Sequence, residues 1–282
     1  MAIDCKSKWL TAALGLVISL SVHSAPASAA DSAITVVPAA EVDWQALNPA
    51  RGEASPRAAT LWGDRQGSAA TGFLARFVEG FSSPPHIHNV TYRAVVISGL
   101  IHNDDPGAAK MWMPAGSFWT QPLGEVHITA AGGEENLALV ETDGGPYLVR
   151  PTAMAFDNGE RPINLHARTV VWVNHNDHDL AEQGVKIAYL WGDEDAGEAH
   201  GSFLRVPGTF SGSLESRGPY LRAVVIAGRL RYKGAEIYEL PPGSYFGSVN
   251  GGTHRFAPET AEAIVYVHAG GSFEIKAGAD EG

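Results

Sequence analysis

The segment LWGD occurs at residues 61–64 and again at 190–193, and RAVVI occurs at 93–97 and again at 222–226, each pair 129 residues apart. Further along, PAGSFW at 114–119 is echoed by PPGSYF at 241–246, and GEVH at 124–127 by GGTH at 251–254, now 127 apart. Recurrence at one spacing means that a unit of about 125 residues is written twice, with a net loss of two residues in the second copy. A repeat this long is a duplicated domain and not a solenoid turn.

Within each copy the local pattern is that of strands. TYRAVVISG and LRAVVIAGRLRY are rich in β-branched residues and stop or turn at glycine, and NLALVETDGG and AIVYVHAGG run into Gly-Gly turns. Glycine at 32 and proline at 17 favour many short strands over long helices. The expected fold is all-β, each copy an antiparallel sandwich or jelly-roll barrel able to enclose a small ligand. The linker is expected at residues 156–167, with Arg150-Pro151 as a second boundary.

The first 29 residues differ in kind. Lys6 and Lys8 precede an apolar run from 9 to 22, and Ala27-Ser28-Ala29 offers small residues for cleavage, the pattern of a secretory signal peptide. The run is short of the roughly 20 residues that cross a bilayer. A periplasmic or secreted mature chain is therefore expected. The single cysteine, Cys5, falls inside this leader, so disulfides, zinc-cysteine sites and cysteine nucleophiles are excluded together. Losing Lys6, Lys8 and Asp4 moves the net charge from −11 to −12. An acidic chain without basic runs excludes nucleic acid and anionic membrane surfaces as partners.

Residues 82–100 read SSPPHIHNVTYRAVVISGL. Side chains alternate along an extended strand, so His86 and His88 project to the same face. Two neutral imidazoles converging on one point suit a divalent transition ion such as Fe, Zn, Mn or Ni. A turn-forming Pro114-Ala115-Gly116 follows, and then His127 in EVHIT. By contrast, His102 precedes a turn in HNDDPG, His166, His200 and His268 have no partner at ligand spacing, and His175 and His178 stand in the polar NHNDHD. These read as surface or internally satisfied histidines.

The arrangement resembles the cupin superfamily. Its first motif runs Gly, five residues, His-X-His, three or four residues, Glu, six residues, Gly, matched here by Gly80, His86-Ile87-His88 and Gly99. Its second motif, Pro-X-Gly and a later His, is matched by Pro114-Ala115-Gly116 and His127. Over residues 34–279 the chain looks like bacterial bicupins akin to the ChrR-like cupin domain. The resemblance implies two tandem jelly-roll barrels, a metal-binding one over 30–158 and a degenerate one over 159–282. It also implies a first shell of His86, His88 and His127, and a homodimer paired through sheet edges.

Two departures stand out. Tyr92 occupies the place of the motif's glutamate, where a hydrogen bond to metal-bound water is its expected role. Glu125, two residues before His127 and so expected on the same strand face, offers a replacement carboxylate. In the second copy, the 129-residue shift sets Glu215 and Arg217 where His86 and His88 stand, and only His254 is retained. That copy is expected to bind no metal.

A three-histidine site leaves coordination positions open. Ferrous iron would support the dioxygenase chemistry of some three-histidine cupins, and zinc would support hydrolysis or isomerisation. The expectation is a metal-dependent enzyme acting on a small organic molecule, with dioxygenase-type chemistry ahead of the others. The alternative is a non-catalytic ligand-binding or sensing module with a structural metal. Tyr92, Trp112, Phe118 and Trp119 are the candidate pocket wall.

Overall fold

In the computed structural model the described residues are Met1, 33–194 and 196–278. The leader expected over residues 1–29 lies, Met1 aside, outside them. Among the described residues no helix is long and apolar enough to cross a membrane. The fold is all-β, with strands paired antiparallel throughout.

Strand Tyr92–Ser98 shows why the chain layers as it does. Tyr92, Ala94 and Val96 face one core, whereas Val95 and Ile97 face another. A strand that is apolar on both faces has to be covered on both. Its repeat, Tyr220–Ala227, divides the same way: Ala223 and Val225 point into one core, Val224 and Ile226 into the shared one.

Each repeat builds a seven-stranded sheet. The first runs, in spatial order, Ile163–Leu165, Phe118–Gln121, Tyr92–Ser98, Asn136–Thr142, Thr71–Phe77, Arg57–Trp62 and Gln45–Ala46. The second matches it strand for strand: Ala33–Val37, Tyr245–Val249, Tyr220–Ala227, Glu262–Gly270, Ala199–Pro207, Lys186–Trp191 and Val173–Asn174. The leading strands are exchanged. Ala33–Val37 pairs with Tyr245–Val249 in the second sheet, and Ile163–Leu165 pairs with Phe118–Gln121 in the first. Each repeat thus contributes one strand to the other's sheet.

The two large sheets meet through one apolar cluster that includes Leu74, Val95, Ile97 and Leu139 from the first and Phe203, Val224, Ile226 and Tyr266 from the second. The words that recur in the sequence lie at this junction. The Arg93 guanidinium lies 3.7 Å over the Trp191 ring, and in the mirrored arrangement Arg222 lies 5.2 Å over Trp62. Gly72 and Gly201 face these indoles so closely that an added Cβ would overlap the ring. LWGD and RAVVI therefore read as the two halves of one interface motif, each copy's arginine stacked on the other's tryptophan.

Glu141 is buried in the same junction, 1% exposed. Tyr266 Oη donates to its Oε1 at 2.6 Å and His268 Nδ1 to its Oε2 at 3.1 Å. Arg93 Nη1 stands 3.9 Å from Oε1. Trp191 Nε1 donates in turn to Tyr266 Oη at 2.9 Å.

The two barrels differ on their other side. In the second, a continuous five-stranded sheet of Ile237–Leu240, Leu230–Lys233, Gly252–Pro258, Gly212–Ser216 and Phe273–Ala277 closes the barrel. In the first, the facing sheet is broken into a three-stranded piece, a two-stranded piece and isolated bridges. Among the described residues the second interior cluster holds 21 buried apolar residues and the first 11, so the first barrel keeps open space.

The register identifies where that space comes from. In the first sheet Ala58 pairs with Ala75, and Ala75 with Ala138. At the matching rungs of the second sheet stand Ile187, Leu204 and Val265. Three alanines against three larger side chains leave the first barrel hollow and the second filled.

Candidate metal centre

His86 and His88 enter the hollow barrel on neighbouring rungs of its broken sheet. His86 and His127 form an isolated antiparallel bridge, His86 N donating to His127 O at 3.1 Å and His127 N to His86 O at 3.0 Å. Strand Ile87–His88 pairs with Val149–Arg150. The prolines before His86 and the short strand keep this segment extended, so alternation delivers both rings inward. One ring nitrogen from each of His86, His88 and His127 lies within 4.8 Å of the others.

The remaining ring nitrogens decide the tautomers. His86 Nδ1 donates to Pro84 O at 2.9 Å, His88 Nδ1 to Leu148 O at 3.1 Å and His127 Nδ1 to Glu125 O at 3.2 Å. A carbonyl only accepts, so each Nδ1 carries the proton and each Nε2 presents a lone pair. Burial lowers the pKa of His86, with its hydrogen bond to Pro84 opposing. Burial, with His127 and His86 beside it, holds His88 well below the ordinary imidazole value. Burial and His86 bring His127 down to about 3. All three are therefore neutral near pH 7, the form that ligates metals.

The residues fit a bound ion. His127 Nε2 is buried without a hydrogen-bond partner, and a buried acceptor left unpaired is costly unless something else binds it. Among the described residues no other cluster of three possible ligands is found.

Tyr147 is a site residue that sequence reasoning missed. Its Oη stands 3.1 Å from His88 Nε2, and its ring stacks on His88 with centroids 4.4 Å apart. It comes from a loop 59 residues downstream, and nothing in the spacing of GGPYLVR points to it.

Tyr92 lines the same cavity, with its ring 5.3 Å from that of His88. Its hydroxyl is committed to a buried network, donating to Asn103 Oδ1 at 2.9 Å, while Asn103 Nδ2 donates to Gln121 Oε1 at 2.9 Å. Burial raises the Tyr92 hydroxyl, with hydrogen bonds from its neighbours opposing. Glu125 is placed apart. Leu123 and Gly124 form a turn, closed by Glu125 N donating to Pro122 O, and the strand begins only at Ile128, so alternation does not carry the Glu125 carboxyl into the histidine cluster. Its side chain lines a separate cleft with Phe156 and Arg161. What Glu125 gives the site is its backbone carbonyl, which holds His127.

The cavity has a volume of about 680 Å³. Phe73, Ala75, Phe81, Trp119 and Val140 make its apolar wall. Of the aromatic residues expected there, Tyr92 and Trp119 are present. Phe118 instead packs in the junction between the sheets, and Trp112 packs beside His102, with ring centroids 6.1 Å apart.

In the second barrel Leu214 pairs with His254 as His86 bridges His127, so Leu214 and Ser216 occupy the places of His86 and His88. The constant 129-residue shift had put Glu215 and Arg217 there. Glu215 instead faces outward against Lys276. His254 is satisfied on both nitrogens, by Tyr232 Oη at 2.9 Å and Ser248 Oγ at 3.1 Å.

Residues 35–276 match the family model described as a domain of unknown function, DUF4437. The chain belongs to this family. Solved structures place the DUF4437 chain in the cupin fold. A candidate dioxygenase from Nostoc punctiforme PCC 73102 is 16% identical, with a TM-score of 0.64 and 88% and 87% of the two chains covered. Salicylate 1,2-dioxygenase from Pseudoaminobacter salicylatoxidans, solved with gentisate, is 13% identical, with a TM-score of 0.56 and coverage of 90% and 87%. Vicilin from hazelnut, Corylus avellana, is 11% identical, with a TM-score of 0.56 and coverage of 86% and 87%. No curated protein matches the DUF4437 chain. At these identities the likeness establishes the fold, and the chemistry has to come from the site.

Proposed function

We propose that this protein is an exported, metal-dependent cupin enzyme that acts on a small organic molecule in the first barrel, with dioxygenase-type chemistry. The observation that carries the proposal is the set of three neutral imidazoles, each with Nδ1 tied to a backbone carbonyl and its ligand nitrogen close to the other two, with His86 and His88 lining an apolar cavity. The resemblance to dioxygenases of the same fold supports it.

His86, His88 and His127 hold the ion. Bound there, ferrous iron supplies oxygen activation and zinc supplies Lewis acidity. The remaining roles belong to the chain. Tyr147 Oη donates to His88 Nε2, and an ion taking up that nitrogen would free the hydroxyl to donate to an oxygen of a bound ligand. Tyr92 and Glu125 act as positioning residues, Tyr92 by its buried network with Asn103 and Glu125 by the carbonyl that orients His127. The aromatic wall excludes water and sets a planar ligand against the histidines. The signal-peptide pattern supports a periplasmic or secreted site for this activity.

The test is oxygen uptake by iron-loaded protein over diketones, phenols, thiols and aromatic carboxylic acids, compared with Ala75→Leu. Leucine at residue 75 restores the bulk that Leu204 supplies in the filled barrel. Uptake with a member of the panel, abolished in Ala75→Leu with iron content unchanged, is the expected result. Full iron occupancy with no oxygen use on any substrate would remove the oxygenase and leave the non-catalytic ligand-binding cupin.

A further inference from the structure

Besides the histidines, the cavity wall has one ionic side chain, Arg51. It stands on the short 3-10 segment Pro49–Ala54, exposed at the mouth of the cavity, while His86 and His88 are buried in the wall. Its guanidinium lies 5.0 Å over the Phe81 ring and has no ion pair or hydrogen bond among the described residues. What sets Arg51 apart is its place, since no other lysine or arginine among the described residues lines this cavity.

Beside it, Asn48 lines the same mouth. Its Oδ1 accepts from Ala50 N at 3.2 Å, which leaves the amide nitrogen free to donate. The cavity wall therefore carries an exposed cation and amide donor, Arg51 and Asn48, together with the buried Phe73, Phe81 and Val140 and the buried His86 and His88. A guanidinium matches a carboxylate with two parallel N–H···O bonds, a fit that a neutral amide cannot reproduce.

Building on the metal-site reading above, we infer that the ligand is an organic acid with an apolar, ring-sized body, its carboxylate held by Arg51 with help from Asn48 and its apolar part directed toward the three histidines. Arg51 is then the residue that sets specificity for charge. An ion-paired hydrogen bond at a partly exposed site favours the acid over the matching amide by about tenfold or more.

The experiment is calorimetric titration of 2-naphthoate and 2-naphthamide, a pair of equal size and different charge, into wild type, Arg51→Gln and Arg51→Lys. Each protein is used both EDTA-treated and zinc-loaded. The expected result is a preference of about tenfold for the acid in wild type, present without zinc, lost in Arg51→Gln and partly kept in Arg51→Lys, with amide affinity unchanged throughout. Equal affinity of wild type for acid and amide would overturn the inference, as would a preference that survives Arg51→Gln. Wild type that takes up no zinc and still prefers the acid would sink the metal site and leave the Arg51 site standing. Zinc uptake with no preference would do the reverse.

Discussion

Glu141→Gln is expected to lower the free energy of unfolding by about 3–5 kcal/mol, the range for removing one member of a buried charged network. At this chain length the loss corresponds to a melting temperature lower by roughly 10 °C. Burial alone would raise the Glu141 carboxyl, but His268, Arg93 and the Tyr266 hydroxyl outweigh it and bring the pKa down to about 2. The pH dependence follows from the sign of that shift. A carboxyl with a folded-state pKa below its unfolded one adds stability above the unfolded value, near 4.3, and loses it as pH falls toward the folded value. The gap between wild type and Glu141→Gln should therefore be full at pH 6 and shrink steadily below about pH 4. Thermal melts of both proteins from pH 7 to pH 3 measure it. A gap that stays constant across that range would show that Glu141 does not act through its charge.

The second large effect is expected of the double variant His86→Ala with His88→Ala. Wild type in metal at a hundred times its dissociation constant gains about 2.7 kcal/mol from binding, and the double variant should gain nothing. Both side chains border a cavity that is already open, so their truncation in metal-free protein should cost only about 1 kcal/mol. Differential scanning of the two proteins with and without added zinc separates these effects. An equal rise in melting temperature in both would mean that the ion binds elsewhere.

Much of this was legible in the sequence because it is local or repeated. Alternation placed His86 and His88 on one face, and the duplication predicted two barrels. The all-β fold and the convergence of His127 on the pair agree with the structure. Other features depend on contacts that no spacing encodes. Glu125 failed as an inner carboxylate because strand alternation was assumed at a residue that closes the turn at Leu123 and Gly124. Leu214 and Ser216, not Glu215 and Arg217, replace the histidines, because pairing with His254 and not a constant offset sets the register. Tyr147 reaches the cavity from a loop and Arg51 from the 3-10 segment Pro49–Ala54, both far from the His-X-His segment in sequence. The exchange of leading strands was hidden for a different reason. Ala33–Val37 and Ile163–Leu165 occupy equivalent places in the two repeats, and a repeat reads the same whichever sheet its first strand joins.

The degeneracy of the second barrel also has a physical account. Its interior keeps His254 but turns it into a satisfied core residue, with Ile187, Leu204 and Val265 filling the rungs where the first barrel has alanines. Filling and loss of the ligands go together, because a closed five-stranded sheet over a packed interior leaves no path to an ion. The same barrel supplies Trp191, Tyr266 and His268 to the junction that supports the back of the first barrel's seven-stranded sheet.

Metal content tests the central claim most directly. Wild-type protein purified from its native compartment without chelator, and counted for iron, zinc, manganese and nickel per chain, should carry about one transition ion, the capacity of one three-histidine site. Folded protein that arrives empty and takes up none of the four on dialysis would contradict it.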